Sequence, residues 1–100
     1  MAKKAFEYKE IKDNGDILQI RVWRVEKSEK QPDGVSYSMV YIRNGERLIG
    51  HDNFEGHAKG GSNHHRHIED RVFPYEFVDE WKAIEDFYIE IEKARQRGLI

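Results

Sequence analysis

MVYIRNGERLI, residues 39–49, sets Asn44-Gly45 between one apolar, aromatic run and another. Asn-Gly in that setting is the strongest short signal for a hairpin, because a type I′ turn needs positive φ at both central residues. With the turn centred there, Arg43 faces Glu46, Tyr41 faces Leu48, Val40 faces Ile49 and Ser38 faces His51. The opposite charges of Arg43 and Glu46 support that register. The stretch therefore predicts one strand over about Val35 to Arg43 and another over about Arg47 to His51.

A second Asn-Gly pair, Asn14-Gly15 in EIKDNGDILQI (residues 10–20), predicts an earlier hairpin. The same centring sets Asp13 against Asp16, a mild repulsion, and Phe6 against Trp23. From about Asp16 to Glu26 the chain alternates. Leu18, Ile20 and Val22 share one face, and Gln19, Arg21 and Trp23 the other. EKSEKQPDG, residues 26–34, is polar and ends in Pro-Asp-Gly, so it reads as a solvated loop. DNFEGHAKGGSN, residues 52–63, holds three glycines and reads as a long loop. HHRHIEDRVFPYEF, residues 64–77, can hold a fifth, shorter strand before Pro74.

Beyond it, Phe77, Val78, Trp81, Ile84, Phe87, Tyr88 and Ile91 recur at helical spacing. Asp79 is the expected N-cap, Glu80 suits the first turn, and Lys93, Arg95 and Arg97 suit the last, before Gly98 at C′. The aromatic residues of this stripe are read as core. Tyr37 and Tyr41 share a strand face, where they either stack on bases or cover the helix. The expected fold is α+β. An antiparallel sheet of four to five strands, a meander of hairpins over about residues 6–77, is packed by one long C-terminal helix over about residues 79–97. One domain spans residues 1–100.

Composition narrows the function classes. With 38% hydrophobic and 36% charged residues the chain is globular with a heavily solvated surface. There is no cysteine, which excludes disulfides, thiolate zinc sites and cysteine nucleophiles. No apolar run near the N-terminus suggests a signal peptide, none is long enough to span a membrane, and a cytoplasmic protein is expected. A net charge of −2 argues against a generic nucleic-acid coater, yet protonating the five histidines would carry it to +3.

All five histidines lie between residues 51 and 67. On a strand, His65 and His67 point the same way and can share an ion, with a third ligand from His51, His57, Asp52 or Glu69. Zinc or another divalent metal on His65, His67 and His51 is thus one alternative, as part of a non-catalytic metal- or protein-binding module. No metal is expected under the leading reading, which is proton transfer. Imidazole titrates near neutrality, so one histidine can serve as base and another as acid in RNA cleavage. Arg66, Lys59 or Arg71 could clamp the phosphate. Arg66, between His65 and His67, would face the opposite side of an ideal strand. A solvated loop rich in imidazole is the bland reading of the same residues.

The segment YSMVYIRNGERLIGHDNFEGHAKGGSNHHRHIEDRVFPYEF, followed by VDEWKAIEDFYIEI, resembles the TumE family of toxin-antitoxin proteins over about residues 35–92. The likeness lies in the order of an Asp-Asn element, a Gly/Lys loop, an H-x-H element, a Pro-Tyr-x-Phe stretch and an amphipathic helix. His51 stands where an aromatic residue often precedes Asp-Asn, and Gly61-Ser62-Asn63 lengthens the loop. The resemblance implies a prokaryotic toxin masked by a cognate antitoxin. It points to Asp52, Asn53, His65, Arg66, His67, Pro74, Tyr75 and Phe77. The combined expectation is a metal-independent ribonuclease with His65, His67, Arg66 and Asp52 as catalytic residues. Lys59, Asn53, His51, His64, Arg71 and Tyr75 are expected to bind RNA. A homodimer is a further alternative.

Overall fold

The computed structural model describes residues 2–29, 31–53 and 64–100. Six strands form one antiparallel sheet in chain order: β1 (Lys3–Ile11), β2 (Ile17–Arg24), β3 (Val35–Arg43), β4 (Glu46–Asp52), β5 (His65–Ile68) and β6 (Arg71–Pro74). Helix α1 (Glu80–Gln96) crosses one face, mainly over β3 and β4. The α+β meander is as expected, with one strand more. The sixth arises because the fifth run is itself a hairpin, turning at Glu69-Asp70 with Glu69 at φ 55. That turn has no Asn-Gly to announce it.

Both Asn-Gly pairs turn the chain, and both registers differ from simple centring. At the first, Lys12 N–H donates to the Asp16 carbonyl at 2.8 Å and Gly15 takes φ 90. The loop is therefore three residues with a glycine in the bulge position. Asp13 no longer opposes Asp16, and Ile11 pairs with Ile17, Phe6 with Val22 and Lys4 with Trp23. Asp16 instead turns inward. It accepts from Tyr41 Oη at 2.6 Å and from Arg43 Nη2 at 2.8 Å. Those two donors, Arg43 first, hold its carboxyl down at about 2, and burial with the Asp16 contact holds the Tyr41 hydroxyl up at about 12.

At the second hairpin, Asn44 and Gly45 adopt φ 53 and 79, as a type I′ turn requires. Arg43 pairs with Glu46 as expected. A bulge follows: Ile42 opposes Arg47, Tyr41 opposes Ile49, and Leu48 is the extra residue. Val40 then pairs with Gly50, Met39 with His51 and Ser38 with Asp52, each one place from the expected partner. Because side chains alternate along a strand, this shift changes the company of every residue after it.

The core lies between sheet and helix. Leu18, Ile20, Val22, Val35, Tyr37, Met39, Tyr41 and Ile49 meet Ala83, Phe87, Ile91 and Ala94. Ala83 and Ala94 carry little bulk, so the helix sits close to the sheet. The buried helix line is therefore narrower than the aromatic stripe. Phe87 is core, whereas Trp81 and Tyr88 are 50% and 44% exposed, and Trp81 meets Phe6 of β1 edge-on at 6.2 Å. Asp79 caps α1 by accepting from Lys82 N–H at 2.7 Å, and Gly98 follows it at φ 80. Tyr37 and Tyr41 belong to this inner face, which decides against base stacking for them.

Candidate functional site

The pairing of β4 with β5 sorts the histidines. Asp52 pairs with His65, His51 with Arg66, and Gly50 with His67. Alternation then puts Asp52, His65 and His67 on the outer face, away from α1, and His51 with Arg66 on the inner face. Four of the five histidines lie on strands or at a strand start. His57 and Lys59 of the expected histidine-rich loop lie outside the described residues, as do Gly56, Gly60 and Gly61.

On the outer face, one carboxylate serves two imidazoles. His65 Nδ1 is 3.5 Å from Asp52 Oδ1 and His67 Nε2 is 2.9 Å from Asp52 Oδ2. The rings themselves are 6.2 Å apart. Arg47 Nη2 lies 3.1 Å from His67 Nδ1. A guanidinium has donors only, so His67 Nδ1 must accept, which leaves the ring proton of neutral His67 on Nε2, facing Asp52. Asp52, His65 and His67 are buried and Arg47 is exposed, so the group reaches solvent through its cation. A Cβ on Gly50 would come within 2.9 Å of Arg47 Cδ, and only glycine there leaves the arginine room to cross to His67.

The inner face is different. His51 sits between the Tyr75 ring at 5.2 Å and the Phe87 ring at 5.6 Å. Neither of its nitrogens hydrogen-bonds to a described residue. Burial first, then the nearby Arg66 cation, pushes its pKa down to about 4, so it is neutral at physiological pH. Arg66 donates to Glu90 of α1 at 2.6 Å and stacks near Phe73. Tyr75 Oη donates to Asp86 at 2.5 Å, and burial with that contact raises its pKa. A cleft of about 360 Å³ lies here, with His51, Arg66, Tyr75, Asp86, Glu90 and Lys93 in its wall.

Two of the remaining candidates brace the sheet end. His64 bridges Tyr37 Oη (2.9 Å from Nδ1) and Asp33 Oδ2 (2.6 Å from Nε2), and stacks on Phe77 at 4.2 Å. Asn53 accepts from Tyr37 N–H at 3.0 Å and donates to the Val35 carbonyl at 2.7 Å, stitching the end of β4 to β3. Arg71 is exposed at the start of β6, on the opposite end of that strand from Pro74 and Tyr75.

Of the residues named from sequence, His65, His67 and Asp52 therefore come together. Arg66 does not join them, because the sheet lies between. The alternative ligand set of His65, His67 and His51 is split by the sheet in the same way. Among the described residues no group of three or more His, Asp or Glu is placed to hold a metal ion. Among the described residues a cation that does reach the pair, Arg47, was not foreseen. Its position depends on the Leu48 bulge and on Gly50, and neither has a short sequence signature.

The family model described as Toxin TumE matches residues 3–95, nearly the whole chain. The chain belongs to the TumE toxin family. Membership in TumE brings a toxin role and, with it, a partner antitoxin. The match extends beyond residues 35–92 to β1 and β2, so the first hairpin is part of the TumE unit. Neither a curated protein nor a solved structure matches the chain. Among the described residues no helix is long and apolar enough to cross a membrane.

Proposed function

We propose that this TumE toxin is a metal-independent ribonuclease whose acid–base pair is His65 and His67. The observation that carries the reading is one buried carboxylate, Asp52, between two imidazoles, with the Arg47 guanidinium on the far nitrogen of one of them. Asp52 beside His65 Nδ1 favours the tautomer whose Nε2 can take a proton, and it stabilises the imidazolium that results.

The step is an in-line transesterification. His65 Nε2 removes the proton of a ribose 2′-hydroxyl, and the 2′-oxygen bonds to phosphorus. The bond from phosphorus to the 5′-oxygen breaks, and His67, entering as the imidazolium, gives that oxygen its proton. The products are a 2′,3′-cyclic phosphate and a free 5′-hydroxyl. Arg47, moving from His67 Nδ1 to the phosphate, offsets the charge that builds on its oxygens and frees that nitrogen to act as the acid. Arg66, Arg71 and His51 have no part in this scheme.

Purified protein incubated with total RNA and a chelator tests it. Cleavage that yields cyclic-phosphate ends and is lost in His65→Ala and His67→Ala supports the proposal. RNA that stays intact from pH 5 to 8 overturns it.

A further inference from the structure

We infer that an open groove on the outer face, formed by Arg21, Trp23, Ser36 and Ser38, seats single-stranded RNA beside the acid–base pair. This rests on the function proposed above and adds the substrate class and a binding subsite to it. The groove has a volume of about 340 Å³. That is within the range of a small-molecule pocket and fits one nucleotide.

Its position is set by the registers. Arg21 pairs with Ser38, Ser38 with Asp52, and Asp52 with His65. These four residues form one row across β2, β3, β4 and β5, all on the face away from the helix. At roughly 4.8 Å per strand, Arg21 stands about 14 Å from His65, with Ser38 and Asp52 between them. A strand of RNA running along this row and the adjacent Trp23–Ser36 pair would meet a cation, an aromatic ring and two hydroxyls before it reached Asp52 and the imidazoles.

The groove has the chemistry for that occupant. Trp23 is half-buried on the outer face, and every base offers a π-face to such a ring. Lys4 Nζ lies 5.9 Å from the Trp23 ring. Arg21 is exposed and shares Glu7 with Lys4, at 3.7 Å and 3.2 Å respectively. One carboxylate between two cations leaves positive charge for a phosphate. On the outer face of the described strands, Lys4, Lys9, Arg21 and Arg47 stand against Glu7 and Asp52. The face is therefore cationic although the chain carries −2 overall. Ser36 and Ser38 can each donate to or accept from a 2′-hydroxyl. On the inner side, the cations Arg66 and Lys82 are bound to Glu90 and Asp86.

The test uses a fluorescein-labelled 12-mer of mixed-sequence 2′-O-methyl RNA, which binds without being cut at its 2′-oxygens. Wild-type protein is expected to raise its anisotropy, and added salt to weaken the complex. Trp23→Ala and Arg21→Gln are each expected to weaken binding roughly tenfold. Trp23→Phe, which keeps a ring and guards against misfolding, should fall between. In a Trp81→Phe background the remaining Trp23 fluorescence should be quenched on binding. Unchanged affinity in Trp23→Ala and Arg21→Gln overturns the inference, whatever the cleavage assay gives. The same substitutions abolishing co-purification with a co-expressed antitoxin while RNA binding stays intact would also overturn it, and would make the groove a protein surface. Groove-dependent binding without cleavage of ordinary RNA sustains the subsite and defeats only the proposed reaction.

Discussion

On the outer face of β4 and β5, Asp52 lies within 3.5 Å of both His65 and His67, and Arg47 reaches His67 from solvent. One residue along the same strands, on the inner face, His51 lies between two aromatic rings with no described hydrogen-bond partner. All three imidazoles are equally buried, at 1% exposure or less. What separates them is the carboxylate. Burial alone disfavours the charged ring, so His51 behaves as a neutral core group. A carboxylate at contact distance gives a buried ring something to exchange charge with, which a proton-transfer residue needs. Burial of a histidine is thus no guide to its role until its neighbours are known.

The largest expected effect is at the carboxylate. Asp52→Asn keeps the shape and removes the charge, and single-turnover RNA cleavage should fall about a thousandfold or more, as for a triad aspartate. Cleavage at the wild-type rate would erase the distinction between the two faces. Next comes the inner packing. Phe87→Ala removes a fully buried ring beneath His51 and should cost about 3–5 kcal/mol in urea unfolding. A cost below about 1 kcal/mol would mean that the inner face is not the core of the fold.

The pH dependence of stability sharpens the contrast further. His51 has its pKa lowered to about 4 in the folded protein, against 6.5 in the unfolded chain. The unfolded state therefore binds the proton first. This contribution to stability is fully present above pH 6.5 and is lost as pH falls toward 4, by roughly 3 kcal/mol. Asp16, held down at about 2, acts in the same direction but in a lower window, between about 3.8 and 2. Thermal melts from pH 7 to 4 should show the first loss, and His51→Leu should flatten it. A slope that survives the leucine must come from other groups.

Two smaller effects complete the series. Gly50→Ala places a methyl group where Arg47 crosses to His67. Because Arg47 is exposed and can swing away, melting should change little while cleavage falls roughly tenfold, about 1.4 kcal/mol in the barrier. His51→Leu at pH 7 should stay within about 1 kcal/mol of wild type, since a neutral ring with no hydrogen bond to a described residue gives way to an apolar group of similar size. It should also keep full cleavage. Loss of activity there would move the chemistry to the inner cleft.

Much of the architecture was legible along the chain. Asn44-Gly45 gave its turn because that turn needs left-handed backbone at both positions, and Asp79 and Gly98 marked the helix ends for similarly local reasons. The Glu69-Asp70 turn was not legible, because Glu69, which takes the positive φ, has no preference for it. Trp81 and Tyr88 fit the helical period and still lie exposed, since period fixes a stripe and only packing fixes its width. At the candidate site, the H-x-H spacing of His65 and His67 predicted that the pair would point one way. Asp52 beside them was expected; Arg47 was not, because the Leu48 bulge that brings it to their face has no signature in sequence.

By itself, then, the sequence determined the α+β meander and the closing helix, which follow from signals carried within short windows, and the TumE kinship, which follows from the order of several elements along the chain. The tertiary structure alone decided that Arg47, rather than Arg66, joins Asp52 beside His65 and His67. The physical reason is the two-residue period of a strand. One extra residue at Leu48 brings His51 opposite Met39 and Asp52 opposite Ser38, and so sets which side chains share a face.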